Sequence, residues 1–290
     1  MTVHTQAQYR HVLLQADFDR FARLTGDDNP IHCDPAFAAK SHFGATVAHG
    51  MLLYSCICRD LAEMMQGAGV VQLEQNLMFA NPTFVNDPIT VRLSVEGEAS
   101  GILDISTDIT KPGPDGAPLF TATGTTRVLA DRVAFPGVAA FVPSAQAGDA
   151  ALYGLRPGMR ASSARVFSVA DLDEYGDLVG DRNPIFRDEG AARSRAYRER
   201  IVPGPLLAGM FSGLLGTRLP GRGTGWMKQA LRYPAPAYPG ETLSATVAIT
   251  RLRADKELVN LCTRVLAADG RVVCDGEALV LVRNLENKLE

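Results

Sequence analysis

The pattern of hydrophobic and polar residues is most informative between residues 49 and 65, where the chain is apolar almost all the way round a helical wheel. A helix lying on the surface of a domain would instead show a polar face opposite an apolar stripe. The segment therefore predicts a helix that is buried on every side, at the centre of its domain.

Shorter runs with strand character follow this helix, separated by turn sequences such as Asn86-Asp87-Pro88. The predicted strands cover residues 70–79, 89–96, 102–109 and 119–129, and further along the chain residues 243–249, 258–266 and 272–282. A long apolar helix followed by consecutive antiparallel strands predicts an α+β fold in which a sheet curls around the helix.

The chain also repeats itself at an offset of 154 residues. Residues 24–31 (LTGDDNPI) align with residues 178–185 (LVGDRNPI), and 15 of the 42 ungapped positions from 12 to 53 are identical. The same register pairs Pro82 with Pro236. We therefore predict two copies of one module, at 1–133 and 162–290, joined by a linker at 134–161 that is rich in Ala, Gly and Pro, with the two sheets paired into one.

Composition narrows the class of protein. The chain is 46% hydrophobic, carries a net charge of −3, and has no run of eighteen apolar residues and no start resembling a signal peptide. We therefore expect a soluble cytoplasmic protein that does not bind membranes. The five cysteines are odd in number and lack metal-ligand spacing, which indicates reduced thiols.

Charge is distributed unevenly between the copies. Residues 1–145 contain 9 Lys and Arg against 15 Asp and Glu, whereas residues 146–290 contain 20 against 17. The basic residues of the second half are interleaved with acidic ones and belong to no nucleic-acid-reading motif, so we expect no nucleic-acid partner.

The segment 21–52 (FARLTGDDNPIHCDPAFAAKSHFGATVAHGML) carries the most specific motif. It resembles the (R)-specific enoyl-CoA hydratases of the MaoC-like, hot dog fold superfamily, whose signature runs Gly-Asp-x-Asn-Pro-x-His and ends with Ala-His-Gly-Met before the central helix. The resemblance implies a double hot dog fold, in which each of two tandem copies wraps a curved antiparallel sheet around a central helix. It also implies reversible hydration of trans-2-enoyl-CoA to (R)-3-hydroxyacyl-CoA, with an acyl-CoA as the substrate.

The chemistry explains why such residues are needed. Hydration of a conjugated thioester requires a base for the water, an acid for the α-carbon and donors to the carbonyl oxygen. Asp27 and His32 lie five residues apart around a proline, so both side chains can turn toward one water, and the resemblance assigns them to hold and activate it. Gly50 would begin the central helix, donate its N–H to the thioester oxygen and leave room for the substrate. We place Asn29 and His49 with the substrate-binding residues, Asn29 orienting the loop and His49 either lining the site or supporting that loop.

Simpler interpretations apply to single residues. Taken alone, Asp27 would more often be a turn or capping residue, and only its spacing from His32, His49 and Gly50 favours catalysis. The sequence His32-Cys33-Asp34 suggests a metal site, but adjacent side chains in a loop do not converge on one ion. We therefore predict no metal and no cofactor.

The second copy departs from the motif. Phe186 stands at the position of His32 and Pro203 at that of His49, although Asp181, Asn183 and Gly204 are kept. We therefore expect one working site per chain, with the second copy serving as scaffold and as a wall of the acyl pocket.

Arginines crowd the second copy before its central helix, and arginine binds phosphates well. We expect some of them, Arg195 and Arg198 in particular, to bind the nucleotide end of CoA. The alternative is a solvated helix face paired with acidic neighbours. The five arginines of this stretch are Arg187, Arg193, Arg195, Arg198 and Arg200.

Two other functions compete with CoA-thioester hydration. One is dehydration of a 3-hydroxyacyl group carried on acyl carrier protein, and the other is a non-catalytic subunit that binds acyl thioesters and works with a partner chain. The presence of both Asp27 and His32 argues against the second. Hot dog sheets often associate further, so we also expect a homodimer.

Overall fold

The computed structural model describes residues 5–65, 69–129, 138–141 and 151–286, which form two halves with the same order of elements. The first half contains β1 (Gln6–Val12), α1 (Gln15–Thr25), α2 (Pro30–Cys33), α3 (Pro35–Ala38), α4 (Gly50–Met64), β2 (Val71–Phe79), β3 (Pro88–Ala99), β4 (Ile102–Pro112) and β5 (Pro118–Leu129). The second half contains β6 (Arg160–Val166), α5 (Val169–Val179), α6 (Pro184–Arg187), α7 (Glu189–Ser194), α8 (Gly204–Thr217), β7 (Gly225–Arg232), β8 (Thr242–Arg253), β9 (Leu258–Ala267) and β10 (Val272–Leu281), with a short 3₁₀ helix at Ala254–Lys256.

The ten strands of the described residues form one antiparallel sheet in the order β1-β3-β4-β5-β2-β7-β10-β9-β8-β6. Each strand of the first half has its counterpart at the mirrored position in the second half. The strands β2 and β7 meet in the middle, where Gln75 lies opposite Leu231 and Asn76 opposite Ala230. This contact joins the two copies into one sheet, which confirms the prediction of a double hot dog fold.

The helices α4 and α8 pack against each other and against the sheet. Twelve of the fifteen residues of α4 and eleven of the fourteen residues of α8 are buried. The prediction of a central helix at 49–65 is confirmed, because a helix buried on every side must be apolar all round. Within the described ranges, no helix is long and apolar enough to cross a membrane.

The seven predicted strands are all present, with ends that differ by a few residues. The pattern had left β1, β6, β7 and the helices α1 and α5 unassigned. In α1, the buried residues Phe18, Phe21 and Leu24 lie on one side of the helix. That spacing is the ordinary signature of an amphipathic helix, so the signal was available in the sequence.

Two parts of the predicted linker at 134–161, residues 134–137 and 142–150, lie outside the described residues. In its described part, the backbone N–H of Phe141 donates to Asp275, and Arg264 donates to the Phe141 carbonyl. The strand β6 begins at Arg160, so the first strand of the second half starts two residues before the predicted start of the second copy at 162.

Candidate active site

The loop that carries the motif ends one helix and begins another. Gly26 closes α1 with a φ of 76°, a left-handed conformation that glycine adopts without steric cost. Asn29 then caps α2 by accepting a backbone N–H two residues further on, and Pro30 takes the first helical position. This local geometry brings Asp27 Oδ2 within 4.0 Å of His32 Nε2.

The helix α8 of the second half packs directly against this loop. It presents a glycine at each close approach: Gly209 against Thr25, Gly213 against the turn that follows, and Gly216 against Asn29. The amide Nδ2 of Asn29 also donates to the Gly216 carbonyl at 3.1 Å. The candidate site is therefore assembled from both halves, and Asn29 acts here by fixing the loop.

Asp27 is almost completely buried, with 1% of its surface exposed. Its Oδ2 accepts a hydrogen bond of 2.5 Å from the hydroxyl of Ser212, which comes from α8. Its Oδ1 lies 3.4 Å from the backbone N–H of Asn29. Ser212 was not predicted from the sequence, because its place opposite Asp27 depends on how the second half packs against the first.

His32 has the tautomer that a base requires. Its Nδ1 lies 2.7 Å from the carbonyl of Val47, and a carbonyl can only accept, so Nδ1 carries the hydrogen. In the neutral ring, Nε2 is then an unprotonated acceptor facing Asp27. The 4.0 Å between Nε2 and the carboxylate is too long for a direct hydrogen bond.

His49 lies behind these two residues and has no exposed surface. Its Nε2–H donates to the backbone carbonyl of Asp27 at 3.1 Å, and its ring stacks on that of His32 with centroids 3.9 Å apart. Burial, and then the nearby His32, hold the pKa of His49 well below its usual range. The ring is therefore neutral, and its contacts are those of a residue that supports the loop.

Gly50 is the first residue of α4, so its N–H has no acceptor within the helix. The space that its missing side chain leaves is occupied by an aromatic ring: a Cβ at this position would lie 2.8 Å from the ring of Phe79. That ring lies 5.9 Å, centroid to centroid, from the ring of Trp226. The expectation that Gly50 simply leaves room for the substrate was therefore incomplete, because Phe79 fills this space.

The described residues contain a group of side chains that could hold a metal ion. It consists of Asp27, His32 and His49, and one ligand atom from each lies within 4.8 Å of the others. This is a different set from His32-Cys33-Asp34. His32 Nδ1 and His49 Nε2 are both engaged with backbone carbonyls, which leaves His32 Nε2, His49 Nδ1 and the carboxylate as the atoms that would face an ion.

The second half has the same loop with different chemistry. Gly180 closes α5, and Asn183 caps α6. Asp181 Oδ1 accepts the backbone N–H of Asn183 at 2.8 Å, but Oδ2 has no hydrogen-bond partner among the described residues. The residue in α4 that corresponds to Ser212 is Cys58. Burial raises the pKa of Asp181 to about 6.

Arg195 and Arg198 lie on the second half, beside the loop that corresponds to the catalytic one. Arg195 donates to the Gly69 carbonyl at 2.9 Å. Arg198 is paired with Glu199 and Glu241, and its guanidinium lies over the ring of Tyr238. These ion pairs fit the alternative interpretation, in which the arginines lie on a solvated face and pair with acidic neighbours.

The titration of Asp181 should make stability depend on pH. Its folded pKa of about 6 is above the ordinary value of 3.8, so the folded protein binds this proton more tightly than the unfolded chain. The resulting stabilisation is complete below about pH 4 and is lost as the pH rises to about 6. We expect Asp181→Asn to raise the free energy of unfolding at pH 7.5 by up to roughly 3 kcal/mol, and to have less effect at pH 4.

Urea unfolding at the two pH values measures this difference. The exposed Asp177→Asn, which also replaces a carboxylate of the second half by an amide, serves as the control. The assignment would be contradicted if the free energies of unfolding of the wild type and of Asp181→Asn changed in parallel between pH 4 and pH 7.5.

Comparisons with known proteins identify the family of both halves. The sequence matches the MaoC like domain over residues 2–112 and again over 156–270. It is 37% identical over 126 residues to the (R)-specific enoyl-CoA hydratase of Aeromonas caviae, covering 43% of this chain and 94% of that protein. It is 34% identical over 132 residues to the 3-hydroxybutyryl-CoA dehydratase of Methylorubrum extorquens, covering 46% of this chain and 83% of that protein.

Solved structures show the fold over nearly the whole chain. A MaoC-like dehydratase superposes with a TM-score of 0.77 at 17% identity, covering 96% of this chain and 98% of that one. A Mycobacterium tuberculosis protein described as having a double hotdog fold superposes with a TM-score of 0.69 at 16% identity, covering 97% of this chain and 96% of that one. With both halves matched by the same domain, the chain belongs to the MaoC-like family and has its double hot dog fold.

Proposed function

We propose that this protein is a hydro-lyase that reversibly hydrates trans-2-enoyl-CoA to (R)-3-hydroxyacyl-CoA at a single site in its first half. The observation that carries the proposal is the pair formed by Asp27 Oδ2 and His32 Nε2, two acceptors 4.0 Å apart. A water between them can reach each at hydrogen-bond distance and donate one hydrogen to each. The hydratase and dehydratase names of the family relatives agree with this chemistry.

In the proposed reaction, His32 Nε2 takes one proton of the water while Asp27 holds the other. The hydrogen bond from Nδ1–H of His32 to the Val47 carbonyl fixes the neutral ring in the tautomer whose Nε2 can accept this proton, and it stabilises the imidazolium that forms. The oxygen adds to the β-carbon, and the His32 imidazolium then gives its proton to the α-carbon, so that one water is added across the double bond and His32 is neutral again. The reverse sequence removes water from the 3-hydroxyacyl thioester.

The N–H of Gly50 is the proposed donor to the thioester oxygen. Negative charge develops on this oxygen as the water adds, and a helix N-terminus favours negative charge through its free N–H groups and its dipole. Since the ring of Phe79 lies against Gly50, the thioester must pass or displace this ring to reach the N–H.

The alternative to a CoA substrate is a 3-hydroxyacyl group carried on acyl carrier protein. Its dehydration uses the same chemistry, so assays with matched CoA and carrier-protein thioesters distinguish the two. A non-catalytic acyl-thioester-binding subunit would bind both and convert neither. A homodimer remains a prediction that the mass of the protein in solution tests.

The catalytic pair can be tested by mutation. We expect Asp27→Asn and His32→Ala each to lower kcat by roughly 100-fold or more, the usual contribution of a positioned acid or base, with folding intact. Because both residues act on one water, the double variant should lose much less than the product of the two effects. Loss of the conjugated enoyl-thioester absorbance measures the rate.

Asp181→Asn is the matched control in the second half and should keep a near-native kcat. Losses in the double variant that simply multiply would mean that the two residues act independently. Comparable losses from Asp27→Asn and Asp181→Asn would mean that both halves are active.

Ser212 should act as a positioning residue for Asp27. Ser212→Ala removes the 2.5 Å hydrogen bond to the buried carboxylate, and we expect kcat to fall about tenfold with little change in KM, since one hydrogen bond to a charged group is lost. The matched control is Cys58→Ala at the corresponding position of α4. If Ser212 had a purely structural role, Ser212→Ala and Cys58→Ala would lower the melting temperature alike, and neither would lower kcat at an unchanged KM.

The assignment of Arg195 and Arg198 to the nucleotide end of CoA also remains a proposal. Replacing both by Ala should raise KM for CoA substrates and leave truncated pantetheine thioesters nearly unaffected, because only CoA carries the nucleotide phosphates. Initial rates at varied substrate concentration measure this. Equal effects on the two classes of substrate would leave only the ion pairs with Glu199 and Glu241 as the role of Arg198.

A further inference from the structure

A cavity of about 340 Å³ borders the loop that carries the motif. Asn29 and Ile31, which belong to this loop, form part of its wall, and the second half contributes Thr224, which precedes β7. A volume of this size lies in the range of sites that bind small molecules. Gly50, the proposed donor to the thioester oxygen, is not among the lining residues. The cavity therefore lies beyond the place proposed for the carbonyl of the substrate.

The second half shows how this cavity connects to the reacting groups. There, one cavity runs along the corresponding loop to the start of the corresponding helix, and its lining includes Asn183, Ile185, Tyr197, Phe186 and Gly204. At the offset of 154, their counterparts in the first half are, in the same order, Asn29, Ile31, Phe43, His32 and Gly50. The first three counterparts line the cavity described above, and the last two are the proposed base and the proposed donor. An acyl chain whose carbonyl lies at Gly50 and whose β-carbon lies beside His32 would therefore continue into this cavity.

The first cavity is open at a place where the second is closed. The second has a volume of about 50 Å³, and beside its wall the guanidinium of Arg195 donates to the carbonyl of Gly69 at 2.9 Å. A Cβ on Gly69 would lie 3.2 Å from Ile185, so little space remains there. Ser41 and Gly223 are the counterparts of Arg195 and Gly69, and both line the first cavity. Because a serine side chain is much shorter than that of arginine, it does not span this space.

The charges at the first cavity favour an anionic ligand. Lys40 and His42 line the cavity, and neither forms an ion pair within the part of the chain that the structure describes. The acidic residue of the wall, Glu286, is paired with Arg222 at 3.3 Å. The apolar part of the wall consists of Ile31, Phe37 and Phe43. These surfaces suit an apolar chain that ends in an anionic group.

We propose that the substrate is an enoyl thioester whose acyl chain ends in a carboxylate, and that this cavity holds the far end of that chain. The thioester carbonyl would accept from Gly50, the chain would pass Ile31, and the carboxylate would face Lys40. Hydration of the double bond leaves this carboxylate unchanged. This inference rests on the proposed function, because it names the substrate class of the same site.

Initial rates with paired substrates test the role of the charge. We expect kcat/KM for trans-2-decenedioyl-CoA, which ends in a carboxylate, to exceed that for trans-2-decenoyl-CoA, which ends in a methyl group. Lys40→Gln should lower this ratio about fivefold, the upper end of what one exposed ion pair contributes, and Lys40→Glu should lower it further. Added salt should weaken the preference of the wild type, because it screens exposed charges.

The nucleotide end of CoA is a second possible source of an anion at Lys40. Pantetheine thioesters of the same two acyl groups separate the sources, because they lack the nucleotide phosphates. We expect Lys40→Gln to change the ratio of carboxylate-ended to methyl-ended substrate equally with both carriers. An effect of Lys40→Gln that is the same for both acyl groups, and is lost with pantetheine thioesters, would place the nucleotide here and overturn the inference.

Ser41→Arg tests the position of the cavity by imitating Arg195 of the second half. We expect the ratio of kcat/KM for trans-2-decenoyl-CoA to that for trans-2-butenoyl-CoA to fall about tenfold, since about two methylene groups lose their place. Ala39→Arg is the matched control, because it adds the same side chain at an exposed position outside the cavity. Asn284→Trp narrows the cavity from the second half and should lower the same ratio, which provides the test if Ser41→Arg does not fold.

Equal effects of Ser41→Arg and Ala39→Arg on the chain-length ratio would overturn this inference, as would a carboxylate preference that Lys40→Glu does not change. In either case, hydration of trans-2-butenoyl-CoA by the wild type would leave the proposed function standing. A wild type that hydrates none of these thioesters would instead overturn the proposed function.

Discussion

The candidate active site depends on the close approach of α8 to the loop at residues 25–29. Side chains normally keep a helix and a loop several ångströms further apart, and three glycines on α8 remove that barrier. A Cβ on Gly209 would clash with Thr25, and one on Gly216 would lie 2.7 Å from the amide of Asn29. Only this close packing allows Ser212, on the same helix, to reach Asp27.

This packing has an electrostatic consequence. It places Asp27 away from water, where an unpaired carboxylate would be costly, and supplies the hydroxyl of Ser212 as compensation. On the other side of the loop, His49 is buried against the aromatic rings of α1, where its neutral ring donates to the backbone carbonyl of Asp27 and stacks on His32. The orientation of the two reactive side chains is therefore fixed by groups that do not react.

The parts of this arrangement that are local could be predicted from the sequence. The helix α4 follows from its uniform apolar character, and the turn that brings Asp27 and His32 together follows from the glycine, asparagine and proline of the motif. The repeat predicted that the two sheets pair into one, and the pairing of β2 with β7 confirms this, although β7 itself was not predicted.

The contacts between segments that are distant along the chain could not be predicted in this way. Ser212 opposite Asp27, and Phe79 over Gly50, are set by how two distant segments pack, and no spacing along the chain encodes that distance. The same limit applies to Arg195, whose guanidinium reaches the Gly69 carbonyl from 126 residues away. Charge counts predicted a basic stretch but not the carboxylates that surround Arg198.

In each half, the loop packs against the central helix of the other half, but the residues at this contact differ between the two copies. The counterparts of Gly209 and Gly213 on α4 are Ser55 and Arg59, so α4 cannot approach the second loop as α8 approaches the first. Arg59 extends toward Gly180 and pairs with the buried Asp60. The loop of the second half faces residues in the middle of α4, and the loop of the first half faces residues in the middle of α8, so a substitution in the middle of one helix changes the surroundings of only one loop. One half could therefore lose its base while the other kept a fully supported Asp27.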